Sequence, residues 1–149
     1  MIYIPKPKNK GHIIDKSGNQ VIPLGRTLKT NDNYLPENKR NSKKERPLVV
    51  IETNKNNELA VVPLSSRKGK HRTHLPNYQQ GKSYFKHFVE IEDSEGKPIK
   101  VGKKFRENNP KSDVSRKDVN KIIDKVFNHS STSSRNKEKI EMFRKRKKP

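Results

Sequence analysis

Arg46 stands directly before Pro47 at the opening of an apolar run, Leu48-Val49-Val50-Ile51, and Ser65-Ser66 closes the next apolar run at Leu64. A proline-stiffened backbone can hold a guanidinium at a fixed place, and arginine is always charged and forks onto phosphate oxygens. Such a group is a poor base at neutral pH but is suited to stabilising the extra negative charge of a phosphorane-like transition state. The hydroxyls of Ser65 and Ser66, at the end of the neighbouring run, could bond the same phosphate. The alternative is that Arg46 pairs with an acid and the serines simply end a strand. His71 and His74, in Lys70-His71-Arg72-Thr73-His74, have a spacing that a metal could use, but no third donor is nearby, and ligation needs three or four. A histidine near neutrality could instead exchange a proton with a ribose hydroxyl, or simply stand in an exposed basic loop. Tyr78, Tyr84 and Phe85 lie among Lys82, Lys86 and His87, a mixture able to stack bases and neutralise phosphates, or to pack a core.

The charge balance agrees with an anionic partner. The 149 residues carry 36 Lys+Arg against 16 Asp+Glu, a formal net charge of +20, and the surface field of such a chain attracts polyanions. Only 27% of residues are hydrophobic and 35% are charged, enough for one modest core rather than two. Cysteine is absent, which removes disulfides, thiolate nucleophiles and Cys-ligated zinc. No stretch approaches the roughly 18 apolar residues of a membrane span. The opening Met1-Ile2-Tyr3-Ile4-Pro5-Lys6 does not read as a secretory signal, so a soluble, cytoplasmic protein without a membrane partner is expected. Phosphate-loop, zinc-protease and nucleophile-elbow motifs are missing, and neither a cofactor nor a metal is expected.

The elements that must position these groups follow from patterning. Residues 1–10 read as an N-terminal extension. His12-Ile13-Ile14 and Gln20-Val21-Ile22 flank Lys16-Ser17-Gly18-Asn19 as a hairpin. Residues 25–45 read as one long loop. Pro47-Leu48-Val49-Val50-Ile51 and Glu58-Leu59-Ala60-Val61-Val62-Pro63-Leu64, joined by Asn54-Lys55-Asn56-Asn57, read as a buried hairpin. Tyr84 to Glu92, turned by Asp93-Ser94-Glu95-Gly96 into Pro98-Ile99-Lys100-Val101, reads as a second, half-exposed hairpin. Ser115 and Asp118 can cap a helix whose Val119, Ile122, Ile123, Val126 and Phe127 form one apolar face over the sheet. Residues 129–149 read as a flexible basic tail with at most transient helix, ending in Arg144-Lys145-Arg146-Lys147-Lys148.

Glu45-Arg46-Pro47-Leu48-Val49-Val50-Ile51, followed by Leu59-Ala60-Val61-Val62-Pro63-Leu64-Ser65-Ser66, resembles the MazF/PemK (Kid) family of toxin endoribonucleases, in which an Arg-Pro pair opens one strand and the next ends in Thr or Ser. Arg72-Thr73-His74-Leu75 and Phe88-Val89-Glu90-Ile91 are both similar to that family's next strand, and the helix from Ser115 to Phe127 to its C-terminal helix. The resemblance spans residues 11–128. It departs from the family where Lys44-Glu45 precedes Arg46, where His12 follows Gly11 and where the loop of residues 25–45 is longer. It implies a mainly β fold, a small SH3-like β-barrel with a packed helix. It also implies a homodimer that cleaves single-stranded RNA by attack of the substrate's 2′-hydroxyl, without metal, and that an acidic antitoxin covers. Arg46 and Ser65, with Ser66 as the register alternative, would be the catalytic residues. Arg67, Lys68, Lys70, His71, Arg72, His74, Tyr84, Lys86 and His87 would contact RNA. The competing expectation is a noncatalytic nucleic-acid-binding module or a ribosome-associated protein.

Overall fold

The computed structural model describes residues 13–14, 20–36, 43–54, 56–128 and 133–145. The expected extension at residues 1–10, the turn at Lys16-Ser17-Gly18-Asn19 and the basic end at residues 146–149 lie outside them.

β1 (Ile13–Ile14) and β2 (Gln20–Val21) pair antiparallel as the hairpin pattern requires. The main sheet follows, built from β3 (Thr27–Thr30), β4 (Arg46–Thr53), β5 (Leu59–Ser65), β6 (Arg72–Leu75), β7 (Ser83–Lys86) and β8 (Arg106–Glu107). Its order is β6-β7-β5-β4-β3-β8, and every neighbouring pair is antiparallel. Among the described residues the architecture is mainly β with two α-helices, and the sheet does not close on itself: β6 and β8 are its two edges.

The continuous apolar runs of β4 and β5 are explained by burial on both faces, which removes the polar-out alternation of a half-exposed strand. On one face Val49, Ile51, Val62, Leu64, Leu75 and Phe85 pack under the helices. On the other, Leu28, Leu48, Val50, Leu59 and Val61 pack with Leu35, Ile99 and Phe105. Helix α1 (Arg116–Asn128) begins where Ser115 accepts a hydrogen bond from the Asp118 backbone at 3.2 Å. Its Val119, Ile122 and Val126 are buried, and Ile123 and Phe127 pack at the margin.

Three expectations change. The long loop of residues 25–45 contains β3, which sits between β4 and β8, and a 3₁₀ turn at Asp32–Tyr34. Leu28 is its one buried apolar side chain; Thr27 and Thr30 are buried because their hydroxyls donate to the Ser112 and Lys104 carbonyls. The hairpin expected over Tyr84 to Val101 is reduced to β7 and two isolated bridges, Val61 with Glu90 and Glu92 with Pro98. Within the tail expected at residues 129–149, residues 133–145 form helix α2 (Ser133–Lys145), docked through buried Ile140 and Phe143 where at most transient helix was expected. Among the described residues no helix is long and apolar enough to cross a membrane.

Candidate nucleic-acid interface

Arg46 begins β4 and Ser65 ends β5. Leu48 lies opposite Pro63, so the same register continued by two residues brings Arg46 beside Ser65. The guanidinium is nonetheless occupied. Its Nε donates to Asp32 Oδ1 at 2.9 Å and its Nη2 to Asp32 Oδ2 at 3.0 Å, while Nη1 donates to the Leu64 carbonyl at 3.0 Å. Arg46 is 7% exposed and Asp32 is fully buried. Asp32 is itself held by Lys43, whose backbone N–H donates to Oδ2 and whose carbonyl accepts from the Asp32 N–H. The forked edge that would grip a phosphate therefore grips a carboxylate. The alternative weighed in the sequence, an arginine paired with an acid, is the arrangement observed.

Ser65 accepts hydrogen bonds at Oγ from the Arg67 backbone and from Arg72 Nη1, both at 3.1 Å. Arg72 Nη1 also donates to the Arg67 carbonyl at 3.1 Å. Its Nε and Nη2 make no hydrogen bond among the described residues, so Arg72 keeps open the edge that Arg46 has lost.

The remaining basic candidates divide by exposure. Ser66, Arg67, Lys68, Lys70 and His71 lie on the exposed connection between β5 and β6. His71 enters β6 with φ of 61°, the left-handed region uncommon for a non-glycine residue. His74 is exposed, and its ring lies 5.1 Å from that of half-buried Tyr84. His87 is turned inward: Nε2 meets the Thr73 hydroxyl at 2.6 Å, and its backbone N–H donates to the His71 carbonyl. It therefore holds the β6–β7 pair together rather than facing a ligand. Phe85 is a core residue; Tyr78 is buried, with its hydroxyl on the Ser112 carbonyl and one side on the neighbouring groove, and Tyr84 is the most exposed of that trio.

Lys86 is buried, and its ammonium is pushed down from 10.5 to about 8. Loss of hydration is the largest cause, followed by the charges of Arg46 and Arg72; Asp32 opposes and Lys43 adds to the depression. Four cations and one carboxylate thus meet at this end of the sheet.

Beside them opens a groove of about 390 Å³, lined by Lys29, Lys43 and Lys82 together with Ser65, Ser66, Ser83, Asn108 and Ser112; among the described residues no carboxylate lies on its walls. Lys29 and Lys43 come from the region read as a loop and were not singled out. Lys29 alone of β3 is exposed, beside buried Thr27, Leu28 and Thr30, so no simple alternation in the sequence marked it. One wall is shaped by the turn at Gln79–Gly81, where Gln79, Gln80 and Gly81 have φ of 52°, 56° and 76°. The His74 ring holds that turn, with Nε2 on the Gly81 carbonyl at 2.6 Å. Among the described residues no group of three or more His, Asp and Glu is placed to hold a metal ion.

No protein-family model, curated protein or solved structure matches this chain.

Proposed function

We propose that this chain is an RNA-binding protein whose groove at the β4–β5 end of the sheet holds the phosphates of a single strand. One observation carries the reading: three lysines, Lys29, Lys43 and Lys82, converge with hydroxyl and amide donors on a groove that, among the described residues, no carboxylate lines. In a chain of net charge +20 this is where phosphate oxygens find both charge and directed hydrogen bonds. Fluorescence anisotropy with a labelled oligoribonucleotide over a series of salt concentrations is the test. Binding should weaken steeply with salt, and Lys29→Gln combined with Lys82→Gln should flatten the slope by about 1.4, at ~0.7 per lost phosphate contact on a single strand. Unchanged affinity and slope in that double variant would remove the groove from the reading.

A second reading, the metal-independent endoribonuclease of MazF/PemK type, draws support from the hydrogen bond between Ser65 and Arg72. In this reading the substrate's 2′-hydroxyl gives up its proton to solvent as it attacks the adjacent phosphorus, the bond to the 5′-oxygen breaks, and that oxygen takes up a proton from solvent, so that no net proton is consumed. Arg72 stabilises the developing charge, Ser65 orients it, and Arg46 fixes the Leu64 carbonyl beside them. The fold the resemblance implies, an SH3-like barrel, finds support in the antiparallel β4–β5 hairpin packed beneath a capped helix. The partner implied is an acidic antitoxin laid over the basic groove. Incubating the protein with long RNA in EDTA decides the matter: fragments ending in a 2′,3′-cyclic phosphate, lost in Arg72→Ala, support cleavage, and intact RNA leaves the binding reading alone.

A further inference from the structure

Four side chains on β6 and β7 form a compact square on the sheet face opposite α1. Arg72 lies across from Lys86 and His74 across from Tyr84 in the antiparallel register, and alternation puts all four on one side of the two strands. Phe85 and Leu75, of the opposite parity, enter the helix-side core. Along each strand the cation and the ring are two residues apart, roughly 7 Å. Tyr84 is also opposite Ser65, which lines the groove. The square therefore adjoins the lysine-lined groove at Ser65, without any of its four members lining the groove itself.

Each member is held in place. The His74 Nε2 bond to the Gly81 carbonyl requires the proton on that nitrogen and fixes the ring plane, which lies 5.1 Å from Tyr84 at a tilt of 36°. Among the described residues Arg72 is anchored through Nη1, to Ser65 Oγ and the Arg67 carbonyl. What remains of the guanidinium, Nε with Nη2, is the edge that donates to two phosphate oxygens at once. Lys86 lies beneath, adding charge without reaching the surface. The pairing of an aromatic shelf with a fork about one nucleotide step away is what an unpaired nucleotide needs. Its base has an exposed π-face to stack, and its phosphate calls for paired donors. A duplex offers no such face along its length.

We infer that His74 and Tyr84 stack an unpaired base while Arg72 grips the adjoining phosphate, forming a single-nucleotide subsite next to the groove. The inference rests on the RNA-binding reading and adds to it a discrimination of single strand from duplex.

The experiment compares three probes at one salt concentration: a labelled single-stranded oligoribonucleotide, the same sequence as a duplex, and inorganic polyphosphate of similar charge. His74→Ala and Tyr84→Leu should each weaken binding of the single strand about tenfold more than binding of polyphosphate or duplex, a comparison that cancels any slackening of the groove wall when the His74 bond to Gly81 is lost. Arg72→Lys, which keeps the charge and loses the fork, should weaken the single strand severalfold. Exposed His74 keeps the test valid where Tyr84→Leu fails to fold, as judged by thermal melting. Equal binding of the single strand by His74→Ala, or a parallel loss on polyphosphate, overturns the subsite while leaving the groove standing. Failure of the unsubstituted protein to bind any of the three overturns both the subsite and the reading beneath it.

Discussion

Arg46 and Asp32 face each other as two matched forks, Nε to Oδ1 at 2.9 Å and Nη2 to Oδ2 at 3.0 Å, across the junction between the 3₁₀ turn and β4. The pair ties the segment after β3 to the sheet and consumes the arginine that the sequence marks as the reactive group. Because both partners are buried, removing one leaves the other as an uncompensated charge. Arg46→Ala should cost about 3–5 kcal/mol of unfolding free energy, and the joint change Arg46→Met with Asp32→Leu should cost clearly less than either single removal. Denaturant titration checks both. Below its melting temperature Arg46→Ala should keep its affinity for polyphosphate, since the guanidinium does not line the groove.

How far the sequence reached depended on which forces were local. The β4–β5 hairpin and α1 were legible because their signals lie within a few residues: unbroken β-branched runs, and a Ser115 cap before an i, i+3, i+4, i+7 face. β3 was not, because Thr27 and Thr30 are buried by acceptors 85 and 74 residues away. The same distance effect hid the fate of Arg46. Asn31-Asp32-Asn33 looks like turn punctuation, and Asn31 does cap the turn by accepting from the Asn33 N–H, but nothing local says that the acid between them will reach a guanidinium 14 residues on. Of the residues expected to contact RNA, Arg72, His74, Tyr84 and Lys86 share one face of β6 and β7, whereas His87 has the parity of core Phe85 and is turned inward with it, which a reading by charge alone passes over.

Lys86 gives the pH dependence. Its ammonium is depressed to about 8 chiefly by burial, then by Arg46 and Arg72, against 10.5 for the ordinary group. Between these values the unfolded chain binds a proton that the folded chain has released, so this residue makes stability rise with pH across about 8 to 10.5. Below pH 8 both states are charged and the folded one bears the full cost of burial. Unfolding free energies of the native chain and Lys86→Met, measured in parallel, should converge as pH rises through that window. The native chain should gain on the order of 3 kcal/mol relative to the variant, at 1.36 kcal/mol per pK unit.

Gly25 sets the approach of α1 to the sheet. Its N–H donates to the Val50 carbonyl and its own carbonyl accepts from the Val114 N–H, so the backbones of residues 25 and 114 are in contact. With φ of 91°, a Cβ at this position would stand 2.2 Å from the Val114 carbonyl oxygen. Neither the backbone angle nor the neighbouring carbonyl can yield cheaply. Gly25→Ala should lower the melting temperature and cost about 2 kcal/mol or more, with Gly96→Ala as the control. Gly96 has a similar φ of 79° but nothing within 4 Å of the added atom, so its cost should be limited to backbone strain.

Asn136 decides whether α2 belongs to the folded unit. Fully inside, its Oδ1 accepts from the Val89 N–H at 3.0 Å while Nδ2 donates to the His87 carbonyl at 2.9 Å and the Val126 carbonyl at 2.7 Å. One amide thus serves the chain after β7 and the end of α1 at once, and Ile140 and Phe143 bury apolar surface beside it. Lys139 adds a bond to Glu90 Oε1 at 2.7 Å. Asn136→Ala leaves three buried backbone groups without this partner and should cost about 2–4 kcal/mol, each unsatisfied group counting for ~1–3 kcal/mol before relaxation. Asn136→Asp keeps the acceptor for Val89 but sets carboxylate oxygen against two carbonyls, so it should not rescue stability. Removing residues 131–149 should go further, exposing the Val126 and Val89 side of the core and broadening the thermal transition. If that truncated chain melted at the same temperature as the full one, α2 would be an appendage and its charge alone would matter.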